Sequence, residues 1–236
     1  MAQLFERLNL KEWLDGDGVE PLELEKSLRE VWGVNRYLGG NPALFVHLQR
    51  MMRKLAPSEP IRVLDVATGL ADLPVAFIDW CKKRGRDVSL VAVDNHPQIV
   101  QLAARRTDKY PSIEVMLADG TALPFEDQSF DLAFCNLALH HLDEESAVKL
   151  LSEMARVTRT GWVVTDLERH RLAYLSAKLL ARFVWKSPVT RHDGPLSVQR
   201  SFTPQEARQL VARAGVNAAV HKHFPFRLAV VGHERV

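Results

Sequence analysis

Four polar side chains close four successive apolar runs: Asp65 in IRVLDVA, Asp94 in VSLVAVD, Asp119 after IEVMLA, and Asn136 in FDLAFCN. The first is followed by Ala67-Thr68-Gly69-Leu70-Ala71, small residues that let backbone approach a ligand closely. That turn opens directly into a helical pattern, whose first N–H groups are free donors. Asp94 comes 29 residues after Asp65, where a strand-end carboxylate accepts both hydroxyls of a ribose. The plainer reading of Asp94 is a helix-capping aspartate ahead of Pro97. Taken together, the four positions point to a nucleoside-type ligand. Histidine is the other reactive type, because an imidazole titrates near neutrality. His140-His141 follow the fourth run, and His192 stands beside Asp193. Adjacent residues on a helix diverge and the sequence offers His140-His141 no third ligand, so no metal is expected there.

These residues need a scaffold that brings strand ends together. β-Branched runs at 61–67, 88–94, 113–118, 130–136 and 161–166 alternate with amphipathic segments near 73–84, 97–107 and 144–157. Nearly continuous apolar strands in such alternation predict a parallel sheet covered on both faces. Upstream, 22–38 and 41–56 read as helices, with Asn41 as an N-cap and Pro42 at the first helical position. A linker-like boundary, Pro57-Ser58-Glu59-Pro60, separates them from the first strand. Downstream come a helix at 169–185, a loop from Ser187 to Arg200, and a helix start at Thr203-Pro204-Gln205-Glu206. Apolar runs at 217–224 and 226–234, parted by Pro225, predict a final antiparallel hairpin.

Composition narrows the function. The 236 residues carry 31 basic against 29 acidic side chains, a net charge of +2, unlike a nucleic-acid clamp. The balance hides a split: 114–153 hold nine acids and one lysine, whereas 169–200 hold seven Lys/Arg and one acid, Asp193. Two cysteines, Cys81 and Cys135, without metal-like spacing or a secretory signal fit a reducing cytoplasm. No apolar stretch reaches membrane-spanning length, so stable membrane insertion is not expected.

LDVATGLAD, VAVD, LADGTALPFEDQSFD and FCNLALHHL, in that order across 61–166, resemble the class I S-adenosylmethionine-dependent methyltransferases, in the type 11, small-molecule branch. SLREVWGVNRYLGGNPAL and RHDGPLSVQRSFTPQEARQLVARAG resemble a subgroup of small-molecule O-methyltransferases. One departure is plain: the family's G-x-G-x-G turn keeps only Gly69, with alanine at 67 and 71. The resemblance implies an α/β, Rossmann-like seven-stranded sheet, six strands of parallel type plus an antiparallel seventh, with helices on both faces. It implies an N-terminal helical cap at 1–58 and a methyltransferase domain at 59–236 with a lid-like insertion at about 167–203.

It also implies S-adenosyl-L-methionine as cofactor. Ala67, Thr68 and Gly69 would face its methionine part and Asp65 its ammonium. Asp94 would hold the ribose, flanked by Asn95 and His96; Asp119 with Gly120 would meet the adenine, and Asn136 with Leu137 the sulfonium. Methyl transfer to a phenol gains from a base near neutrality, which makes His141 and His192 the candidate catalytic residues. Arg36, Tyr37, His140, Trp185 and Arg200 are the candidate acceptor contacts. The expected partner is a small aromatic, phenolic or polyketide-like acceptor methylated on oxygen, with a second copy of the chain as a candidate partner. Carbon methylation of a quinone-type ring is the alternative within the fold, and non-catalytic binding of S-adenosylmethionine the alternative outside it.

Overall fold

The computed structural model describes residues 6–16, 18–56 and 59–233. Strands β1 (Ile61–Val66), β2 (Val88–Asp94), β3 (Ile113–Leu117), β4 (Phe130–Asn136), β5 (Thr158–Leu167), β6 (Ala218–His223) and β7 (Arg227–His233) form one sheet in the order β3-β2-β1-β4-β5-β7-β6. Pairing is parallel from β3 to β5, and β7 lies antiparallel to both β5 and β6, as expected. The order reverses at β1, with β2 on one side and β4 on the other, so their carboxyl ends diverge into a crevice.

Helices α3 (Asp72–Lys82), α4 (Pro97–Thr107) and α5 (Glu144–Val157) are the crossovers; α8 (Pro204–Ala214) precedes the hairpin. Buried residues form a layer on each sheet face, one with Leu150, Met154 and Leu210, the other with Leu48, Phe77 and Ile78. Strands sandwiched in this way are apolar on both sides, which is why they read as continuous runs. The stretch between β3 and β4 carries no helix.

Four further helices stand outside the alternation or at its edge: α1 (Pro21–Tyr37), α2 (Gly40–Met52), α6 (Arg171–Phe183) and α7 (Pro188–Arg200). Two expectations fail here. Helix α2 starts at Gly40 after Gly39 (φ 85°), and Asn41 is buried within the first turn instead of capping it. The expected loop from Ser187 to Arg200 is helix α7, which contains Pro195. Tertiary burial overrides the local breakers: Val189, Leu196 and Val198 are packed inside, and helix propensity is a weak prior against such contacts. The 57–58 part of the expected linker lies outside the described residues.

The segment from Leu8 to Asp15 runs along α7, with the Leu8 N–H donating to the Gln199 carbonyl at 3.1 Å. Asp193 fastens it, accepting the Trp13 and Leu14 N–H groups at 3.0 Å each. Helix α1 is tied to the same helix: Glu30 accepts the Lys186 and Ser187 N–H groups, and Thr190 donates to Ser27 at 3.0 Å. Glu30 thus places a carboxylate at the electropositive start of α7.

Candidate active site

A cavity of about 920 Å³ opens over the carboxyl ends of β1, β2, β4 and β5, roofed by α1, α6 and α7. Its floor at one end is the β1–α3 turn. Thr68 N–H donates to the Val93 carbonyl at 3.0 Å, and Gly69 N–H donates to Asp94 Oδ2 at 3.0 Å, which joins the turn to β2. Ala67, Gly69 and Ala71 have φ of 60°, 56° and 58°, all left-handed. The missing glycines therefore leave the turn's shape intact, and each alanine there carries a backbone cost of about 1–2 kcal/mol. A side chain added at Gly69 would meet only Leu28 of α1, at 3.9 Å, so the space over this glycine is open.

Three polar atoms around that space lack a hydrogen bond. Asp65 Oδ2, Thr68 Oγ1 and His96 Nδ1 are buried without a hydrogen bond. Burial pushes the Asp65 carboxyl well above its ordinary value; the Thr68 side chain opposes this, and the nearby Asp94 adds to it. Burial likewise raises Asp94, against the two N–H groups of Gly69 and His96 that it accepts. Buried orphans of this kind carry a desolvation penalty that a cationic or hydroxyl-bearing ligand relieves. The open cradle at Gly69, the orphaned Asp65 and the Asp94 carboxylate fit the ammonium and ribose of S-adenosylmethionine. Asp119 and Gly120 line the same end, with Asp119 Oδ1 bound by Thr121 of its own loop. Asn95, Asn136 and Leu137 complete it; Asn136 Oδ1 accepts the Thr165 hydroxyl at 2.7 Å, and Leu137 N–H donates to the Thr165 carbonyl.

The other end holds a buried charge network. His140 Nδ1 lies 2.6 Å from Asp166 Oδ1, and its backbone N–H donates to Asp166 Oδ2 at 2.8 Å. Burial alone would raise Asp166, but its contact with His140 and the hydrogen bonds from the His140 ring, the His140 N–H and the Leu167 N–H bring it below its ordinary value. His141 Nδ1 lies 2.5 Å from Asp15, and its Nε2 3.9 Å from Glu12. Burial pulls this imidazole down, yet the Glu12 charge and the Asp15 hydrogen bond raise it to about 9. A pKa raised in this way favours the imidazolium, a donor and a cation, over the neutral form the expected base requires. Glu12 Oε1 is buried without a hydrogen bond, 3.7 Å from His140 Nε2 and 3.7 Å from Arg200 Nε. Glu12, His140 and His141 bring donor atoms within 4.8 Å of one another, so the third ligand absent from the sequence reading is present in space. The Arg200 guanidinium and His141 imidazolium already balance Glu12 and Asp15.

Other expected contacts are rearranged. Arg200 borders the cavity but is consumed by the chain, donating to the His140, His141 and Leu10 carbonyls and to Asp15. Trp185 lines the cavity; Arg36 and Tyr37 are exposed outside its lining. His192 does pair with Asp193, at 2.7 Å, but it is exposed outside the cavity lining and stacks on Trp13 with centroids 4.1 Å apart. Sequence reasoning missed Glu12, Asp15 and Asp166. Asp166 was legible, since it ends β5 as Asp65 and Asp94 end β1 and β2. Glu12 and Asp15 sit in a polar N-terminal stretch with no pattern of its own.

Residues 63–161 match a family model described as a methyltransferase domain. A demethylmenaquinone methyltransferase of Deinococcus radiodurans is 33% identical over 134 residues, covering 54% of this chain and 53% of that protein. One of Lysinibacillus sphaericus is 26% identical over 135 residues, 57% and 56% of the two chains. The chain thus spans about half the length of the curated relatives it matches. Among solved structures, an S-adenosylmethionine-dependent methyltransferase from Aquifex aeolicus superposes with a TM-score of 0.60 at 18% identity, covering 91% of this chain and 98% of that one. The CurJ carbon methyltransferase does so at 0.63 and 14% identity, covering 92% and 62%. The strand order, the cradle at Gly69 and the match over 63–161 agree: residues 63–161 are similar to the methyltransferase domain family, and the chain has the Rossmann-like fold of the solved S-adenosylmethionine-dependent methyltransferases.

Proposed function

We propose that the protein transfers a methyl group to a hydroxyl of a small, largely apolar phenol or quinol, with the buried His140–Asp166 pair taking up the acceptor's proton. The observation that carries this reading is the continuity of one cavity from the Gly69–Asp94 cradle to His140, beneath Leu28, Val31, Leu180 and Trp185. Bound S-adenosylmethionine supplies a methyl already activated on a sulfonium. The chain's own work is then to hold the acceptor in line, exclude water and move one proton. Asp166 fixes the His140 ring by its Nδ1, which leaves Nε2 as the proton acceptor. The neighbouring His141 imidazolium favours the acceptor's anionic form, as any fixed cation does for a phenol of pKa near about 10. The described part of the 1–58 segment and residues 167–203 act as cap and lid over the acceptor.

Ring-carbon methylation of a quinol is the second reading, and the relatives named for demethylmenaquinone favour it. It uses the same deprotonation, with the electron pair expressed at carbon. A panel of phenols and quinols incubated with S-adenosylmethionine, read by mass and by methyl position, separates the two. Cofactor binding without product on any member would leave a binding protein and defeat both.

A further inference from the structure

Helix α6 is apolar on both sides. Inwards, Ala173, Ser176, Ala177 and Leu180 line the cavity. Outwards, Leu172, Leu175, Leu179 and Phe183 repeat at i, i+3, i+7 and i+11, and each is between 53% and 77% exposed. Single exposed leucines need no account, but a continuous stripe marks an interaction surface. Lys178 and Arg182 run beside it one turn apart, over the Tyr174 and Phe183 rings, and the helix contains no acidic residue. Further exposed aromatic side chains stand near the helix's start. His170 stacks on Phe226, which borders the cavity, and Phe224 next to it is 92% exposed. The Tyr37–Gly39 corner lies against this turn, since a side chain at Gly39 would come within 2.7 Å of Pro225. Tyr37 there is 78% exposed.

We propose that this face seats the protein on an anionic lipid bilayer, and that an apolar acceptor passes from the bilayer into the cavity past α6. An apolar stripe with a cationic row beside it is what a helix lying in the headgroup plane requires. No described helix is long and apolar enough to cross a membrane, so the contact is peripheral. A symmetric pairing of two copies through the stripe would gather the Lys178 and Arg182 cations of both chains at one seam with no acidic residue of α6 to meet them, which a surface of anionic headgroups avoids. Docking stands on the surface alone; the access route rests on the apolar acceptor proposed above.

The test is flotation of the full chain with vesicles of phosphatidylcholine alone or mixed with phosphatidylglycerol. The anionic vesicles bind at least about tenfold tighter, and added salt weakens them. Leu175→Glu/Leu179→Glu loses at least about tenfold of that binding, and Lys178→Glu/Arg182→Glu loses the preference for anionic lipid. Circular dichroism and S-adenosylmethionine affinity confirm that both variants fold. No binding to either vesicle, equal binding by the variants, or a dimer that Leu175→Glu/Leu179→Glu dissociates without vesicle binding would overturn docking. For access, the same double variant raises KM for a long-chain quinol carried in vesicles at least about tenfold and leaves a water-soluble short-chain quinol unaffected. Equal effects on the two acceptors would overturn the route. Absence of methylation of both would strike the proposed reaction, and the route with it, while the vesicle measurements still decide docking.

Discussion

The two ends of the cavity differ in how their polar groups are satisfied. At the β1–β2 end, Asp65 Oδ2, Thr68 Oγ1 and His96 Nδ1 are buried and unpaired, above a glycine with open space beside it. At the β4–β5 end, Asp15, Asp166, His140, His141 and Arg200 pair with one another, and Glu12 Oε1 is the one orphan of that set. An orphaned buried group predicts a polar ligand; a closed charge network beneath an apolar roof predicts an apolar one with a single reacting atom. In the proposed reaction the first is the donor end, with many polar contacts, and the second the acceptor end, with few.

The largest test of that contrast is at the acceptor end. His140→Gln keeps the size and a hydrogen-bonding tip but removes the proton acceptor, and kcat falls by about 10³-fold. Affinity for S-adenosylmethionine by calorimetry stays within about twofold of wild type, since His140 is bonded to Asp166 and makes no hydrogen bond to Asp65, Thr68 or Asp94. Weakened cofactor binding instead would dissolve the distinction between the two ends. At the donor end the pattern reverses. Asp94→Asn loses the charge that accepts ligand hydroxyls and weakens cofactor binding by about 100-fold, equivalent to about 2.7 kcal/mol. Unchanged affinity would sink the assignment of Asp94 to the ribose.

A pH titration of stability sharpens the comparison from the side of the network. The His141 pKa of about 9 exceeds its ordinary 6.5, so the folded state binds this proton more tightly than the unfolded chain does. Its contribution is complete below pH 6.5, declines between 6.5 and about 9, and is absent above that. Wild type therefore exceeds His141→Gln in Tm most at pH 6, and the gap narrows steadily towards pH 9. A gap that widens with pH would mean that His141 is buried neutral, and would restore it as a candidate base.

The cavity-lining strand ends of the proposed donor end were legible in the sequence, and the reason is chemical. Each donor residue sits at the end of a strand, and strand ends are readable because period, length and β-branching mark where a buried strand stops. Asp65, Asp94, Asp119 and Asn136 all line the cavity as their positions predicted. The acceptor end is assembled across distance. Glu12 and Asp15 reach His140 and His141 because Asp193 and Arg200 of α7 fasten the N-terminal segment. No local period encodes such a contact. Helix α7 was itself hidden by Gly194 and Pro195, whose local cost is offset by burial that only the folded chain reveals.

His192 gives the smallest effect and the cleanest separation of adjacency in sequence from placement in space. Its pairing with Asp193 has the form of an oriented base, and sequence alone ranks it with His141. Yet the ring is exposed on the outer side of α7, stacked on Trp13 at an interplanar angle of 8°. Asp193 is engaged in holding the Trp13 and Leu14 N–H groups, a fastening that persists without the imidazole. His192→Ala thus removes one stacked pair, worth about 0.5–1.5 kcal/mol, and leaves the network around His140 in place. Turnover on an ionisable phenol stays within about twofold of wild type while Tm drops by a few degrees. A loss of turnover comparable to that of His140→Gln would require His192 to reach the acceptor through an α7 arrangement other than the one seen.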